Sequence, residues 1–181
     1  MKLRSKMSAV VIVGALAGTA TLVGGGPAQA APPPPNGSVC AIQTDNGRFV
    51  TAVGGGGRST TVMRTDAFGI GPDEKFTLEA VGDGVHVDLR TRSTNYVTAV
   101  NSGGLTHNQL TDVLHTDATR LGTWETLQLI PQDDGRFGVR LFDGHVLTAV
   151  DGGGRSTGAF DTNRSTVKSW EKFRLLCGLS F

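Results

Sequence analysis

Two short motifs occur three times in this chain, in the same order and at nearly the same spacing. That repetition limits the fold more than any other feature. Phe49-Val-Thr-Ala-Val53 is followed by four glycines and Arg58. Tyr96-Val-Thr-Ala-Val100 is followed by Asn101, Ser102, two glycines and Leu105. Val146-Leu-Thr-Ala-Val150 is followed by Asp151, three glycines and Arg155. The second motif reads Asp73-Glu-Lys-Phe76, then Trp124-Glu-Thr-Leu127, then Trp170-Glu-Lys-Phe173. From the Ala of the first motif to the Glu of the second is 22, 26 and 22 residues, which places a four-residue insertion within His107–Asp112 of the middle copy. The repeats run from Val39 to Cys177, about 46 residues per copy.

Each copy holds four strand-like runs separated by turn residues. They lie near Val39–Thr44, Arg48–Val53, Thr61–Asp66 and Lys75–Val81 in the first copy. In the second they lie near Val85–Thr91, Asn95–Val100, Val113–Asp117 and Glu125–Pro131, and in the third near Phe137–Phe142, His145–Val150, Gly158–Thr162 and Glu171–Cys177. Asp45-Asn-Gly47 and Asp143-Gly144 have hairpin-turn chemistry, because Asn and Gly tolerate positive φ. Alternation sets the buried faces: Phe76 with Leu78, Leu127 with Leu129, Phe173 with Leu175, and Val85, Val87 and Leu89 together. Twelve short strands in three like units fit an all-β β-trefoil: a closed barrel capped by three hairpins. A sandwich does not require threefold repetition, and a propeller typically needs four or more blades.

The first 30 residues read as a secretory signal. Lys2, Arg4 and Lys6 precede an apolar run from Ala9 to Ala17, and Ala28-x-Ala30 has the form of a cleavage site. The run is short for a bilayer span, which needs about 20 residues. Removal of 1–30 leaves a mature chain starting at Ala31, a Pro-rich linker over 31–38, and one domain over 39–181. Acidic and basic residues are then interspersed, with a mature net charge of −2. That pattern argues against a nucleic-acid partner and against a membrane surface after cleavage. A secreted monomer is expected.

The triplet of Phe/Tyr-Val-Thr-Ala-Val with its glycine run, followed by Trp-Glu-x-Phe, resembles the fascin-like β-trefoil family. The likeness covers the whole mature domain. It departs at Asp73, where Trp is expected, and the Gln-x-Trp of ricin-type trefoils does not occur. The resemblance implies a β-trefoil with a binding role. Intracellular members bundle actin with several trefoils in series, whereas exported bacterial relatives resemble accessory modules of glycan-degrading systems.

Glu74, Glu125 and Glu171 are expected to accept backbone N–H bonds before the fourth strand of each copy rather than to act as an acid/base pair. The four histidines lack metal-ligand spacing, no nucleophile elbow or phosphate loop occurs, and neither a cofactor nor an enzymatic activity is expected. Trp124 and Trp170 suit packing at the barrel rim, with sugar stacking as the alternative. Phe68, Phe142 and Phe160 have no aromatic counterparts in the other repeats and are candidates for an exposed platform. The glycine-rich turns are the leading candidate for a polysaccharide or glycan site. They would set Arg58, Asn101, Asp151 and Arg155 around shallow pockets, with Asp66, Asp117 and Asp161 contributing acceptors. The alternative partner is a protein, either an actin-like filament or a protease. Finally, Cys40 shares the face of Ile42 and Cys177 that of Phe173 and Leu175. The first and last strands of a trefoil are neighbours, so an exported chain is expected to form a Cys40–Cys177 disulfide with both residues pointing inward.

Overall fold

A computed structural model describes residues 32–181. The expected signal segment and its cleavage site lie outside the described residues. The domain has twelve strands: β1 Ser38–Gln43, β2 Phe49–Ala52, β3 Met63–Ala67, β4 Lys75–Val81, β5 His86–Arg90, β6 Tyr96–Ala99, β7 Leu114–Ala118, β8 Thr126–Pro131, β9 Phe137–Arg140, β10 Val146–Ala149, β11 Phe160–Arg164 and β12 Arg174–Cys177. Each of the twelve expected runs contains one strand, displaced by a few residues at most.

The barrel wall consists of β1, β4, β5, β8, β9 and β12. Antiparallel ladders join β12 to β1, β1 to β4, β4 to β5, β5 to β8 and β8 to β9. The sixth seam departs from the closed ladder that the sequence suggests. There, β9 meets β12 through one bridge, in which Phe137 and Phe173 exchange two N–H···O bonds of 2.8 Å. Both phenylalanines point into the core, and the strands separate on either side of them.

Three hairpins, β2–β3, β6–β7 and β10–β11, cap the barrel. Each has a bulge at the same place, with the extra residue on its second strand. Thr65, Thr116 and Thr162 occupy these bulges and are fully buried. A bulge releases backbone groups from the hairpin ladder, and here they bond to the neighbouring copy. Thr65 N–H donates to the Arg155 carbonyl (2.9 Å), Thr116 N–H to Arg58 (2.8 Å) and Thr162 N–H to Leu105 (2.8 Å). Return bonds run from Gly154, Gly57 and Gly104 to the carbonyls of Thr65, Thr116 and Thr162. The three copies are thereby linked in a ring at the cap.

Inside the barrel the layers follow the repeat. Phe76, Leu127 and Phe173 form one set, and Ile42, Leu89 and Val139 another, all buried. Burying side chains of this size stabilises by about 1.5–3 kcal/mol each. The void left among them is about 30 Å³ and wholly apolar, room for roughly one water. A ligand must therefore bind outside the barrel.

Cys40 and Cys177 face each other across the β1–β12 ladder and are joined by a disulfide spanning 137 residues. Cys40 is buried as expected, but Cys177 is exposed, because β12 is only partly covered at its end. Val85 also departs from expectation. It lies in the turn before β5 and is exposed, whereas Asp88 on the outer face of β5 is buried. The linker is not merely a spacer. Asn36 accepts from Ala80 N–H at 2.9 Å, and Gly37 N–H donates to Leu78 at 2.8 Å, tying its end to β4.

Candidate binding site

The two repeated motifs meet in space. The threonine of each Thr-Ala pair donates its hydroxyl to the glutamate of the second motif: Thr51 to Glu74 (2.7 Å), Thr98 to Glu125 (2.7 Å) and Thr148 to Glu171 (2.8 Å). The other oxygen of each carboxylate accepts a backbone N–H, from Gly71, Gly122 and Lys168, at 2.8, 2.8 and 2.9 Å. All three carboxylates are buried. With both oxygens engaged, each latches a loop to a hairpin rather than presenting a group to a substrate.

The glycine-rich turns serve a similar end. Gly54, Asn101 and Asp151 occupy equivalent left-handed positions, with φ of 69°, 54° and 58°. Asn and Asp are among the few non-glycine residues that adopt this region readily, because a short polar side chain can bond locally. Further along, a Cβ on Gly56 would fall 2.2 Å from Thr91 Oγ1. One on Gly103 would fall 2.6 Å from Asp143 Oδ1, and one on Gly153 2.3 Å from Thr44 Oγ1. Each turn is thus pressed against the first hairpin tip of the next copy.

Of the side chains on these turns, Asp151 and Arg155 pair at 2.8 Å. Arg58 donates to the Thr60 carbonyl at 3.1 Å, and Asn101 is exposed. Asp66 and Asp117 are equivalent, but the third member of that set is Asn163, because Thr65, Thr116 and Thr162 align. Asp161 instead matches Arg64 and His115 and is buried. It accepts from the His107 N–H (2.7 Å) and lies 2.8 Å from His107 Nδ1. The seven candidate residues therefore do not converge on one site.

The middle-copy insertion lies between the other two copies. Asp112 accepts from Thr61 and Val62 N–H at 2.9 and 3.1 Å, while His107 packs on Gly158. Thr61 and Gly158 are equivalent left-handed positions, with φ of 50° and 52°. The insertion thus braces both of them.

The aromatic candidates separate clearly. Phe160 fills the core slot of Met63 and Leu114, so it is no platform. Phe68 is exposed, with Arg48 over one ring face at 3.2 Å. Phe142 is exposed at the β9–β10 hairpin tip. Trp124 and Trp170 are each about two-fifths exposed. The Trp170 indole edge lies over Gly152, with Cδ1 3.2 Å from where a Cβ would stand. In the first copy, where Asp73 replaces Trp, Arg92 covers the equivalent Gly55 and is held by Asp73 at 3.0 Å.

Beside Trp170 is an open cleft of about 530 Å³ lined by Asn163, Arg164, Ser165, Thr166, Lys168 and Trp170. The Asn163 carboxamide oxygen is buried with no partner among the described residues. This cleft combines an aromatic surface, two cations and hydroxyls, while the Asn163 oxygen itself is closed to solvent. Sequence reasoning missed it because its residues sit at the end of β11 and in the loop that leads to β12. Only the exposed Trp signalled it.

No protein-family model matches the sequence, and no curated protein matches it either. Solved structures do. A designed threefold-symmetric protein, ThreeFoil, superposes with a TM-score of 0.65 at 13% identity, covering 76% of this chain and 97% of its own. The fold is a β-trefoil. The Rhizoctonia solani agglutinin matches at 0.60 with 19% identity, over 81% of this chain and 99% of its own. The Polyporus squamosus lectin, solved with the trisaccharide Neu5Acα2-6Galβ1-4GlcNAc, matches at 0.59 with 9% identity, over 79% of this chain and 50% of its own. Among the described residues no helix is long and apolar enough to cross a membrane.

Proposed function

We propose that the chain is an exported, non-catalytic carbohydrate-binding module of fascin-like type, and that the Trp170 cleft receives a sugar ring. The observation that carries this reading is the half-exposed indole standing in one open cleft beside Arg164, Lys168 and the hydroxyls of Ser165 and Thr166. A pyranose has apolar CH faces and hydroxyl edges. The indole face suits the former. Arg164, Lys168 and the neighbouring hydroxyls suit the latter, supplying both donors and acceptors.

The turn bearing Asp151 and Arg155 contributes by supporting the indole through Gly152. Arg58 and Asn101 hold the corresponding places in the other copies as weaker contact sites. The likeness to agglutinin and lectin structures supports a binding role. The disulfide fits an oxidising, extracellular compartment. An open site of this kind binds a single sugar weakly, with Kd of about 0.1–1 mM. Repeated sugars on a polymer raise the retention through effective concentration.

The test is retention on a panel of insoluble polysaccharides, with actin filaments as a protein control. The parent should be retained by at least one polysaccharide and Trp170→Ala should be retained less. Equal retention of Trp170→Ala would remove this cleft from the reading. A joint Arg58, Asn101 and Arg155→Ala variant would then assign the binding to the turns if it failed to bind. Retention by filaments alone would favour a protein partner.

A further inference from the structure

The repeat allows one place on the barrel to be compared between copies. At the junction of the third copy with the first, four charged side chains meet. Arg136 bonds Asp45 at 2.6 Å and Asp134 at 2.9 Å, and Lys172 bonds Asp134 at 3.0 Å. Asp134 is held well below the usual carboxylate range, chiefly by Arg136 and then by Lys172. This network occupies the space between a hairpin tip, the turn before β9 and the start of β12.

At the junction of the second copy with the third, each member has a different counterpart. The barrel register aligns Val87 with Phe137, so His86 stands where Arg136 does and Gly84 where Asp134 does. Thr126 follows Glu125 as Lys172 follows Glu171. Phe142 follows Leu141 as Asp45 follows Thr44. His86 does not reach across, because its ring is taken by Asp83 within its own turn. Among the described residues, what remains is a groove of about 590 Å³ lined by Val81, His86, Thr126, Gln128, Arg140 and Phe142. At the tip of the second copy, Arg92 stands in the place of Phe142 and is paired with Asp73. Two of the three hairpin tips thus carry a paired charge, and the third carries a bare aromatic ring, 62% exposed.

Phe142 takes no part in the buried core. Its leucine neighbour Leu141 enters the core, while the phenyl ring stands over the groove. Phenylalanine has no polar atom, so its ring can serve only as an apolar surface. The groove lining is mostly apolar, and Thr126, Gln128 and Arg140 supply its polar groups. Arg140 Nη1 donates to Gln128 Oε1 at 3.3 Å, which leaves the Gln128 amide N–H groups and the rest of the guanidinium directed to other acceptors. The Thr126 hydroxyl donates to the Gly122 carbonyl at 3.2 Å and keeps its lone pairs to accept. An aromatic ring sharing one groove with an amide, a guanidinium and a hydroxyl, in a volume typical of small-molecule sites, matches a sugar ring better than a flat protein surface.

We propose that this groove is a second glycan subsite, distinct from the Trp170 cleft, which stacks one pyranose ring of a neutral glycan on Phe142. Gln128 and Arg140 bond the ring's hydroxyls. The proposal rests on the carbohydrate-binding reading and adds a site on another flank of the barrel.

The test is an amide-resolved NMR titration of the parent, Phe142→Ala, Phe142→Asp and Trp170→Ala. The ligands are soluble cello-, xylo-, manno-, chito- and laminari-oligosaccharides. Phe142→Asp restores the residue type of the first copy, and thermal melting checks that both variants stay folded. In the parent, at least one sugar should give saturable shifts at Thr126, Gln128, Arg140 and Phe142. Phe142→Ala should weaken those shifts about tenfold and leave shifts around Trp170 in place. Trp170→Ala should do the reverse. Shifts around Trp170 with none at the groove, or groove shifts unchanged in both Phe142 variants, would overturn the proposal and leave the Trp170 reading standing. No saturable shift at either place would overturn both. Groove shifts caused by a filament or protease and by no sugar would likewise overturn it.

Discussion

Thr148 donates its hydroxyl to Glu171 at 2.8 Å across 23 residues of sequence, and both side chains are buried. The same bond in each copy explains why Thr-Ala and the glutamate of the second motif recur together. Replacing Glu171 with Ala would leave the Thr148 hydroxyl and the Lys168 N–H without an acceptor. The expected loss is about 2–4 kcal/mol in urea unfolding. Thr148→Val should cost less, about 1–2 kcal/mol, and the double variant should cost less than the sum of the two. Additive losses would mean that the pair does not act as a unit.

Glycine at the turns is required by contact as well as by φ. Gly153→Ala would put a Cβ 2.3 Å from Thr44 Oγ1 at a φ of 110°. Gly135 also has positive φ, but nothing stands within 4 Å of its Cβ position. Gly135→Ala should cost about 1–2 kcal/mol from backbone strain alone. Gly153→Ala should add about 1–3 kcal/mol for the forced displacement of the neighbouring tip. Equal costs in chemical denaturation would contradict this docking of copy on copy.

The strands, the disulfide pairing and most of the buried faces, Val85 and Cys177 excepted, could be read from the sequence, because alternation and threefold repetition constrain them independently. The candidate site could not. The Thr–Glu bond links residues 23 to 27 apart with no local pattern to announce it. Asp161 looks like a partner of Asp66 and Asp117 by residue type, yet the bulge alignment makes Asn163 the equivalent. Phe160 has no aromatic counterpart, which suggests a platform, but a core slot accepts Met, Leu or Phe by volume alone. The exchange of a charge network for Phe142 becomes visible only once the barrel register aligns His86 with Arg136.

Burial raises the Asp88 carboxyl above its ordinary range, with Glu79 and Glu125 adding to the effect and the nearby Thr126 hydroxyl opposing it. One of its oxygens is buried without a partner among the described residues. The folded chain therefore holds this proton to a higher pH than the unfolded chain, so stability falls as pH rises from the unfolded value of about 3.9. Asp88→Asn should raise the melting temperature at pH 7, and the gain should vanish below about pH 3. A loss at pH 7 would show the charge to be paired.

Reducing the Cys40–Cys177 bond should lower stability by up to about 4–5 kcal/mol on the chain-entropy account, since the loop closes nearly the whole domain. The exposed Cys177 side gives a reductant access. Denaturation with and without reductant measures the effect. Sugar retention under native conditions should survive reduction, because neither cysteine lines the proposed sites. An unchanged midpoint would mean that the unfolded chain is already constrained at its ends.

The proposed function requires the exposed indole of Trp170 to meet a sugar. Trp124 and Trp170 are the only tryptophans, so Trp124→Phe makes Trp170 the sole indole reporter. Fluorescence of that variant should be measured while titrating the soluble oligosaccharide of whichever polysaccharide retains the protein. A saturable change in Trp170 emission is expected with Kd of about 0.1–1 mM, weakened when Arg164 and Lys168 are replaced by Ala. Retention on the polysaccharide with no change in Trp170 emission at saturating sugar would contradict it.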